Sequence, residues 1–494
     1  FCAKEGCPLA LIQIEHLSFS YPSSYDPIFE DVSLRLDTSW KLGFIGRNGR
    51  GKTTFFKLLM GRYEYAGSIR APVAFDYFPY PVPDPGRPTR AVLEGVCPGA
   101  ESWQLERELS LLGVRPDALD RPFASLSNGE QTKVLLAALF LNEGHFLLID
   151  EPTNHLDAKA RAMVSAYLQK KQGFILVSHD RRFLDGCVDH ILSLNRAGIE
   201  VQSGNFSSWF ANFQQRQALE EAQDQRLRKD IKRLEQSARR TALWSDRVEA
   251  SKKGAADKGY VGHKAAKMMK RAKTIEARQQ KAIEEKSALL KNAETAEDLR
   301  VTPLLHYADP LVLFQDVEIR YDGRTVCGPV SFAVRRGERV ALDGGNGSGK
   351  SSLLKLLCGQ DIPHAGQVRR APGLVVSYVP QDAAGLAGDL TGFARAHGLD
   401  ESLFKAILRK MDFSRVQFEK DMASFSSGQK KKVLLARSLC EKAHLYVWDE
   451  PLNFIDIYTR MQIEKLIGAS APSMLFVEHD AAFRQAVATG TVRL

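Results

Sequence analysis

The stretch Gly46-Arg47-Asn48-Gly49-Arg50-Gly51-Lys52-Thr53 decides the fold, because the chain repeats it as Gly344-Gly345-Asn346-Gly347-Ser348-Gly349-Lys350-Ser351. Both fit GxxxxGK[ST], a loop whose backbone N–H groups turn toward phosphates. Each follows a short apolar run (Leu42-Gly43-Phe44-Ile45 and Val340-Ala341-Leu342) and opens a helical pattern at Phe55 or Leu353. Strand, glycine loop, helix is the setting the motif needs, since the helix N-terminus adds its positive dipole end. Lys52 and Lys350 then neutralise the β- and γ-phosphates, and Thr53 and Ser351 each place a hydroxyl on Mg²⁺. Gly46, Asn48, Gly49, Gly51 and Thr54 complete one ATP cradle. Gly344, Asn346, Gly347, Gly349 and Ser352 complete the other.

Outward from the two lysines, 298 residues apart, other elements recur in the same order. Asp150-Glu151 returns as Asp449-Glu450 and Ser127 as Ser426, both offset by 299; His179-Asp180 returns as His479-Asp480 and Tyr21 as Tyr321, offset by 300. The chain therefore reads as a tail (1–10), an ATPase module (11–206), an intervening segment (207–308) and a second module (309–494). Phe146–Asp150 and Leu445–Asp449 read as buried parallel strands ending in an acid. Asp150 and Asp449 are placed to order the Mg²⁺ shell, and Glu151 and Glu450 to orient and deprotonate the attacking water. His179 and His479 follow further apolar strands and are read as γ-phosphate contacts.

Composition excludes several classes. Of 494 residues, 44% are hydrophobic and 26% charged, as in globular proteins rather than disordered or collagen-like chains. No run approaches the roughly 20 apolar residues of a membrane span. The N-terminal text carries no signal-peptide pattern and no starting Met, which leaves the true N-terminus open. Seven scattered cysteines without a CxxC speak against a disulfide framework or zinc site, and for a reducing cytoplasm. The net charge of +9 is concentrated: Arg226 to Lys291 holds 20 Lys and Arg against 8 Asp and Glu, leaving 48 basic and 51 acidic residues elsewhere. A solvated helix face explains many charge runs; the whole excess in one segment points to a polyanionic partner.

With a P-loop, an LSGGQ-like element (Leu126-Ser127-Asn128-Gly129-Glu130; Phe425-Ser426-Ser427-Gly428-Gln429), a strand-end acid pair and a following histidine in each copy, the modules resemble ABC-type ATPase domains. The fold class is accordingly α/β, two tandem ABC-type domains joined by a long antiparallel helical hairpin. That resemblance implies ATP clamped between one module's P-loop and the other's signature element. Ser127, Gly129 and Glu130 would serve Lys350, and Ser426, Gly428 and Gln429 would serve Lys52, in a monomer whose modules dimerise internally. Tyr21 and Tyr321 match the adenine-stacking aromatic, and Asp157 and Asp456 the D-loop acid. Two modules in one chain without a membrane domain, separated by a basic linker, resemble the ABC-F family. Its implied partner is the 70S ribosome, with the linker entering the tRNA exit site toward 23S rRNA and P-site tRNA. The linker text Trp244–Glu249 and Gly262–Arg271 looks like the branch that protects ribosomes from lincosamides, streptogramin A and pleuromutilins. A housekeeping translation factor of the same family, an exporter ATPase subunit and a DNA-repair ATPase are the competing readings.

Two departures stand out. Gln381 in Tyr378-Val379-Pro380-Gln381 is the expected amide near Mg²⁺ and water, whereas Tyr77-Phe78-Pro79-Tyr80 puts Tyr80 there; a phenol cannot supply both functions of a carboxamide. Asn128 replaces a signature glycine, a substitution read as tolerable because Asn accepts positive φ. The two ATP sites are expected to be unequal. In the linker, Leu227, Ile231, Leu234 and Ala238, and beyond a glycine-containing break Met268, Ala272, Ile275, Ala282 and Leu289, space as two helices of a hairpin. At about 40 and 30 residues they would span roughly 60 and 45 Å. Trp244, Lys252, Lys253, Lys258, Tyr260 and His263 are the expected rRNA- and tRNA-contacting tip, cations for phosphates and rings for unpaired bases.

Overall fold

The computed structural model describes residues 10–22, 27–154, 156–195, 198–250, 274–275, 278, 302–321, 323–345 and 347–494. In the first module a six-stranded sheet runs, edge to edge, Ala74–Phe78, His145–Asp150, Phe174–Val177, Lys41–Gly46, His190–Asn195 and Gly198–Ser203. All neighbours are parallel except the last pair. The second module repeats it with five parallel strands: Val376–Val379, Leu445–Asp449, Met474–Val477, Arg339–Asp343 and Gly490–Arg493. Covered on both faces, such strands read as unbroken apolar runs rather than alternating ones; Phe174–Val177 and Met474–Val477 are buried at every position.

A three-stranded antiparallel sheet lies beside each parallel one: Phe29–Asp37, Leu11–Phe19 and Ala66–Arg70, then Arg324–Val334, Val312–Tyr321 and His364–Arg370. Leu42, Phe44, Phe55, Phe146 and Leu192 join the two sheets and the P-loop helix Lys52–Leu59 in one core. Val340, Leu342, Leu353, Val447 and Leu475 do the same around Lys350–Leu357. Phe404, Leu408, Leu435 and Trp448 form a further core under the helices Glu401–Lys410 and Ser427–Cys440. In both copies the P-loop and the acid pair lie at the carboxyl edge of the parallel sheet, on strands separated by the one that precedes the histidine (Phe174–Val177 or Met474–Val477), where open α/β sheets bind ligands.

The described residues up to Trp209 and from 302 onward form one compact unit, so both ATPase modules belong together; those from Phe210 form another. The helix Phe206–Ala250 runs without interruption. Trp244, expected at the tip, lies in the last two turns of this helix. Lys252, Lys253, Lys258, Tyr260 and His263 lie outside the described residues, as do the expected turn and nearly all of the second helix. At the other end, residues 302–308, assigned above to the linker, are bound to the second module: Leu304 N–H donates to the Ala443 carbonyl at 2.9 Å, and His306 Nε2 lies 3.0 Å from the Pro372 carbonyl oxygen. No described helix is long and apolar enough to cross a membrane.

Candidate functional site

The P-loops need backbone geometry that side chains resist. Gly49 and Gly51 have φ of 80° and 103°, and Gly347 and Gly349 have 79° and 86°. A Cβ on Gly51 would come within 2.5 Å of Ile28, and one on Gly349 within 2.8 Å of Cys327. Behind each loop the lysine ammonium caps carbonyls: Lys52 Nζ donates to Gly46 O at 2.7 Å, and Lys350 Nζ to Gly344 O and Gly345 O at 2.9 and 2.7 Å. Burial lowers the pKa of both lysines. Thr53 Oγ1 donates to Asp150 Oδ2 at 2.8 Å and Ser351 Oγ to Asp449 Oδ1 at 3.0 Å. Tyr21 and Tyr321 bind the next hydroxyls, Thr54 at 2.8 Å and Ser352 at 3.0 Å, which stations each ring at its P-loop helix.

Two cavities gather these residues, and each takes its walls from both modules. One, of about 870 Å³, is lined by Tyr321, Gly347, Gly349, Lys350, Ser351, Ser352, Gln381, Glu450 and His479 of the second module and by Ser127, Asn128, Gly129, Glu130 and Asp157 of the first. The other, of about 460 Å³, joins Tyr21, Asn48, Gly49, Gly51, Lys52, Thr53, Thr54, Asp150, Glu151 and His179 to Ser426, Ser427, Gly428 and Phe454. Asn48 Nδ2 reaches across to Phe454 O at 2.6 Å. Asn346, its counterpart, lies outside the described residues.

Ser127 and Ser426 each cap a helix. Ser127 Oγ accepts from Glu130 N–H while Glu130 Oε2 accepts from Ser127 N–H; Ser426 and Gln429 do the same. Asn128 is the first residue of Asn128–Leu139 and has no positive φ. The tolerance argued from left-handed backbone is thus not what admits it; a first-turn helical position accepts Asn readily.

The acid pairs differ more than their identical text implies. Glu151 and Glu450 share a left-handed backbone, φ 51° and 46°, a strain that structures concentrate at functional positions. Each has a histidine Nε2 3.3 Å from its Oε1. Glu450 Oε2 also accepts from Gln381 Nε2 at 2.8 Å and Asn453 Nδ2 at 2.6 Å. Burial would raise its pKa, but the His479 contact and the two amides outweigh that and hold Glu450 at about 2. Among the described residues no amide side chain donates to Glu151. Its Oε1 is buried without a hydrogen-bond partner, and burial beside Asp150 pushes it up to about 8. Burial, with Lys52 and Arg460 nearby, keeps His179 well below its usual range.

Tyr80 does not line the Lys52 cavity. It borders a separate hollow of about 390 Å³ behind Asp150 and Glu151. Tyr77, which motif reading passed over, donates its hydroxyl to Asp150 Oδ2 at 3.2 Å. Asn453 stands three residues after Glu450, as Asn154 does after Glu151, whereas Tyr77 meets Asp150 only through the register of adjacent strands. For Mg²⁺ the donors fit. Hydroxyl and carboxylate oxygens are what the ion takes, and Asp449 Oδ2 is buried without a partner beside Ser351. Burial pushes Asp449 up to about 6. Among the described residues no three His, Cys, Asp or Glu side chains cluster to hold a metal.

The sequence profile of the ABC transporter family matches residues 29–154 and 327–453, together just over half of the chain. The ATP-binding protein Uup of Caulobacter vibrioides is 28% identical over 480 residues, spanning 95% of this chain and 75% of that protein. The ribosome protection protein VmlR of Bacillus subtilis is 27% identical, with 94% and 83% covered. The energy-dependent translational throttle protein EttA of Haemophilus influenzae is also 27% identical, with 94% and 88% covered. The crystal structure of an archaeal ribosome recycling factor with a ribosomal stalk protein superposes with a TM-score of 0.65 at 17% identity, over 97% and 87% of the two chains. At that identity the likeness is one of fold.

Proposed function

The chain belongs to the ABC transporter family, as an ABC-F-type ATPase, and from that premise we propose that it is an ATP-hydrolysing ribosome-protection protein of the bacterial cytoplasm. The observation that carries this reading is the construction of each cavity from both modules. ATP held by one P-loop is also held by the opposite signature helix, so binding joins the modules and hydrolysis lets them part. Lys52 and Lys350 would hold the β- and γ-phosphates. Ser351 and Asp449, with Thr53 and Asp150, would hold Mg²⁺, which supplies charge neutralisation of the phosphates. At the Lys350 site Glu450 would receive the proton of the attacking water as its oxygen bonds to the γ-phosphorus and the bond to ADP breaks. Gln381 and Asn453 keep that carboxylate charged and aimed, and His479 is placed to contact the phosphoryl oxygens.

The linker's charge excess suits an RNA partner. The relatives named for ribosome protection and translational throttling support the ribosome as that partner. In this reading ATP closure places the linker in the exit site, and its tip displaces lincosamides, streptogramin A or pleuromutilins from the peptidyl-transferase centre. Equal identity to EttA favours one second reading, a translation factor without drug protection. Sedimentation with 70S ribosomes and a nonhydrolysable ATP analogue, beside drug susceptibility of cells with and without the gene, tests both. Retention with protection supports the first reading, retention without protection the second, and no retention overturns both.

A further inference from the structure

The two nucleotide seams are fastened differently. At the Lys52 seam the P-loop carries Arg47 and Arg50, and both face Asp412 of the second module. Arg50 Nη2 donates to Asp412 Oδ1 at 3.2 Å and Arg47 Nη1 lies 3.6 Å from the same oxygen. The Arg47 guanidinium also sits 5.7 Å over the Tyr458 ring. Deeper along the seam Arg181 of the first module pairs with Glu464 of the second and lies 3.8 Å from Asp480.

The pseudo-symmetric positions of the Lys350 seam lack the parts. Arg47 and Arg50 correspond to Gly345 and Ser348, and Arg181 and Glu464 to Ala481 and Ser165. Asp412 follows the helix Glu401–Lys410 and its cap Met411, with φ 65°; Gly113 follows Ser102–Leu111 and its cap Leu112, with φ 61°. Gly113 borders the Lys350 cavity as Asp412 borders the Lys52 loop. Glycine is the usual occupant of such a left-handed helix end. An aspartate there bears a backbone cost, and such outliers persist where the surroundings use them. What Asp412 adds over glycine is a carboxylate, 14% exposed, directed at two guanidinium groups of the other module.

Resting on the ATPase reading above, we propose that Asp412, Arg47 and Arg50 form a positioning latch specific to the Lys52 seam. The latch holds that P-loop against the second module and slows nucleotide release there. The Lys350 seam, with a cavity of about 870 Å³ against about 460 Å³, opens and exchanges nucleotide independently.

The test uses the full chain carrying Glu151→Gln and Glu450→Gln, loaded with Mg²⁺ and N-methylanthraniloyl-ATP and chased with unlabelled ATP. Release should show two phases, the slow one abolished by Lys52→Ala and the fast one by Lys350→Ala. Asp412→Asn keeps the shape and suits the left-handed backbone; Asp412→Gly removes the backbone strain. Both should speed the slow phase about tenfold while sparing the fast one, since truncating one member of a charge pair acts mainly on dissociation. Arg47→Lys with Arg50→Lys should retain more of the slow phase than the Gln pair. A purely structural Asp412 predicts the opposite for Asp412→Gly, which would raise thermal stability without touching release. An unchanged slow phase, or equal acceleration of both, overturns the latch. Absence of any bound analogue overturns the ATP-site reading itself, and the latch with it.

Discussion

Glu151 and Glu450 stand at the same place in the two modules, with the same strained backbone and the same histidine at 3.3 Å, yet their surroundings set them apart. Two amides, from Gln381 and Asn453, grip Glu450 and favour its charged form. Glu151 has its histidine at the same 3.3 Å but not the two amides, while the nearby tyrosine hydroxyl goes to Asp150 instead. A repeated motif thus gives two sites of one architecture and different chemistry. The difference lies in which side chains reach the carboxylate, because its protonation responds to every donor and every buried neighbour within a few ångströms.

The largest effect is expected from removing both bases. Glu151→Gln with Glu450→Gln should preserve nucleotide binding and lower turnover by about 10²-fold or more, the range of a lost general base. The protein should then accumulate on 70S ribosomes in ATP; undiminished phosphate release would reject both assignments. Next comes stability. Asp456 is fully buried, 3.0 Å from the buried Lys432 ammonium, and caps the helix Ile457–Ser470. Asp157 caps Ala158–Gln169 without such a pair. Asp456→Ala should cost about 3–5 kcal/mol, because it strands a buried cation, against about 1 kcal/mol for the lost cap in Asp157→Ala. Thermal unfolding of the two variants checks the ratio, and equal shifts would show that the buried pair adds nothing.

A smaller contrast concerns the glutamine position. Gln381→Ala should slow hydrolysis by about tenfold, at the low end of what positioning of a catalytic group contributes. Tyr80→Ala should change it by less than about twofold, because Tyr80 borders a hollow beside the site rather than the Lys52 cavity. A loss of equal size at Tyr80 would restore it as the working counterpart. Smallest of all, Tyr77→Phe removes one hydroxyl from Asp150. It should cost about 1 kcal/mol of stability, the net worth of a typical hydrogen bond, with little change in steady-state turnover.

Much of the architecture was legible because it rests on short-range rules applied twice. Glycine loops at Gly46–Gly51 and Gly344–Gly349, unbroken apolar runs into Asp150 and Asp449, and Ser-led helix caps at Ser127 and Ser426 need only local chemistry. The asymmetry was half legible: Tyr80 against Gln381 was visible, but its consequence was not. Tyr77 reaches Asp150 because adjacent strands place Tyr77 opposite Leu148, a register that the text does not display. Asp412 meets Arg50 across 362 residues of chain, and nothing local marks that pairing except an acid where the first module has Gly113. Asn128 went the other way. Motif comparison raised a backbone question that helix geometry does not pose.

The claim that the seams share a design but divide the work is tested most directly by two single variants, assayed side by side at neutral pH. Glu450→Gln removes the carboxylate held charged by Gln381, Asn453 and His479, and should abolish most ATP turnover, by about 10²-fold. Glu151→Gln changes a carboxylate that lacks the grip Gln381 and Asn453 give Glu450 and that burial pushes toward its neutral form, and should lower turnover by no more than a few-fold. Equal losses in the two, or a larger loss from Glu151→Gln, would contradict the account.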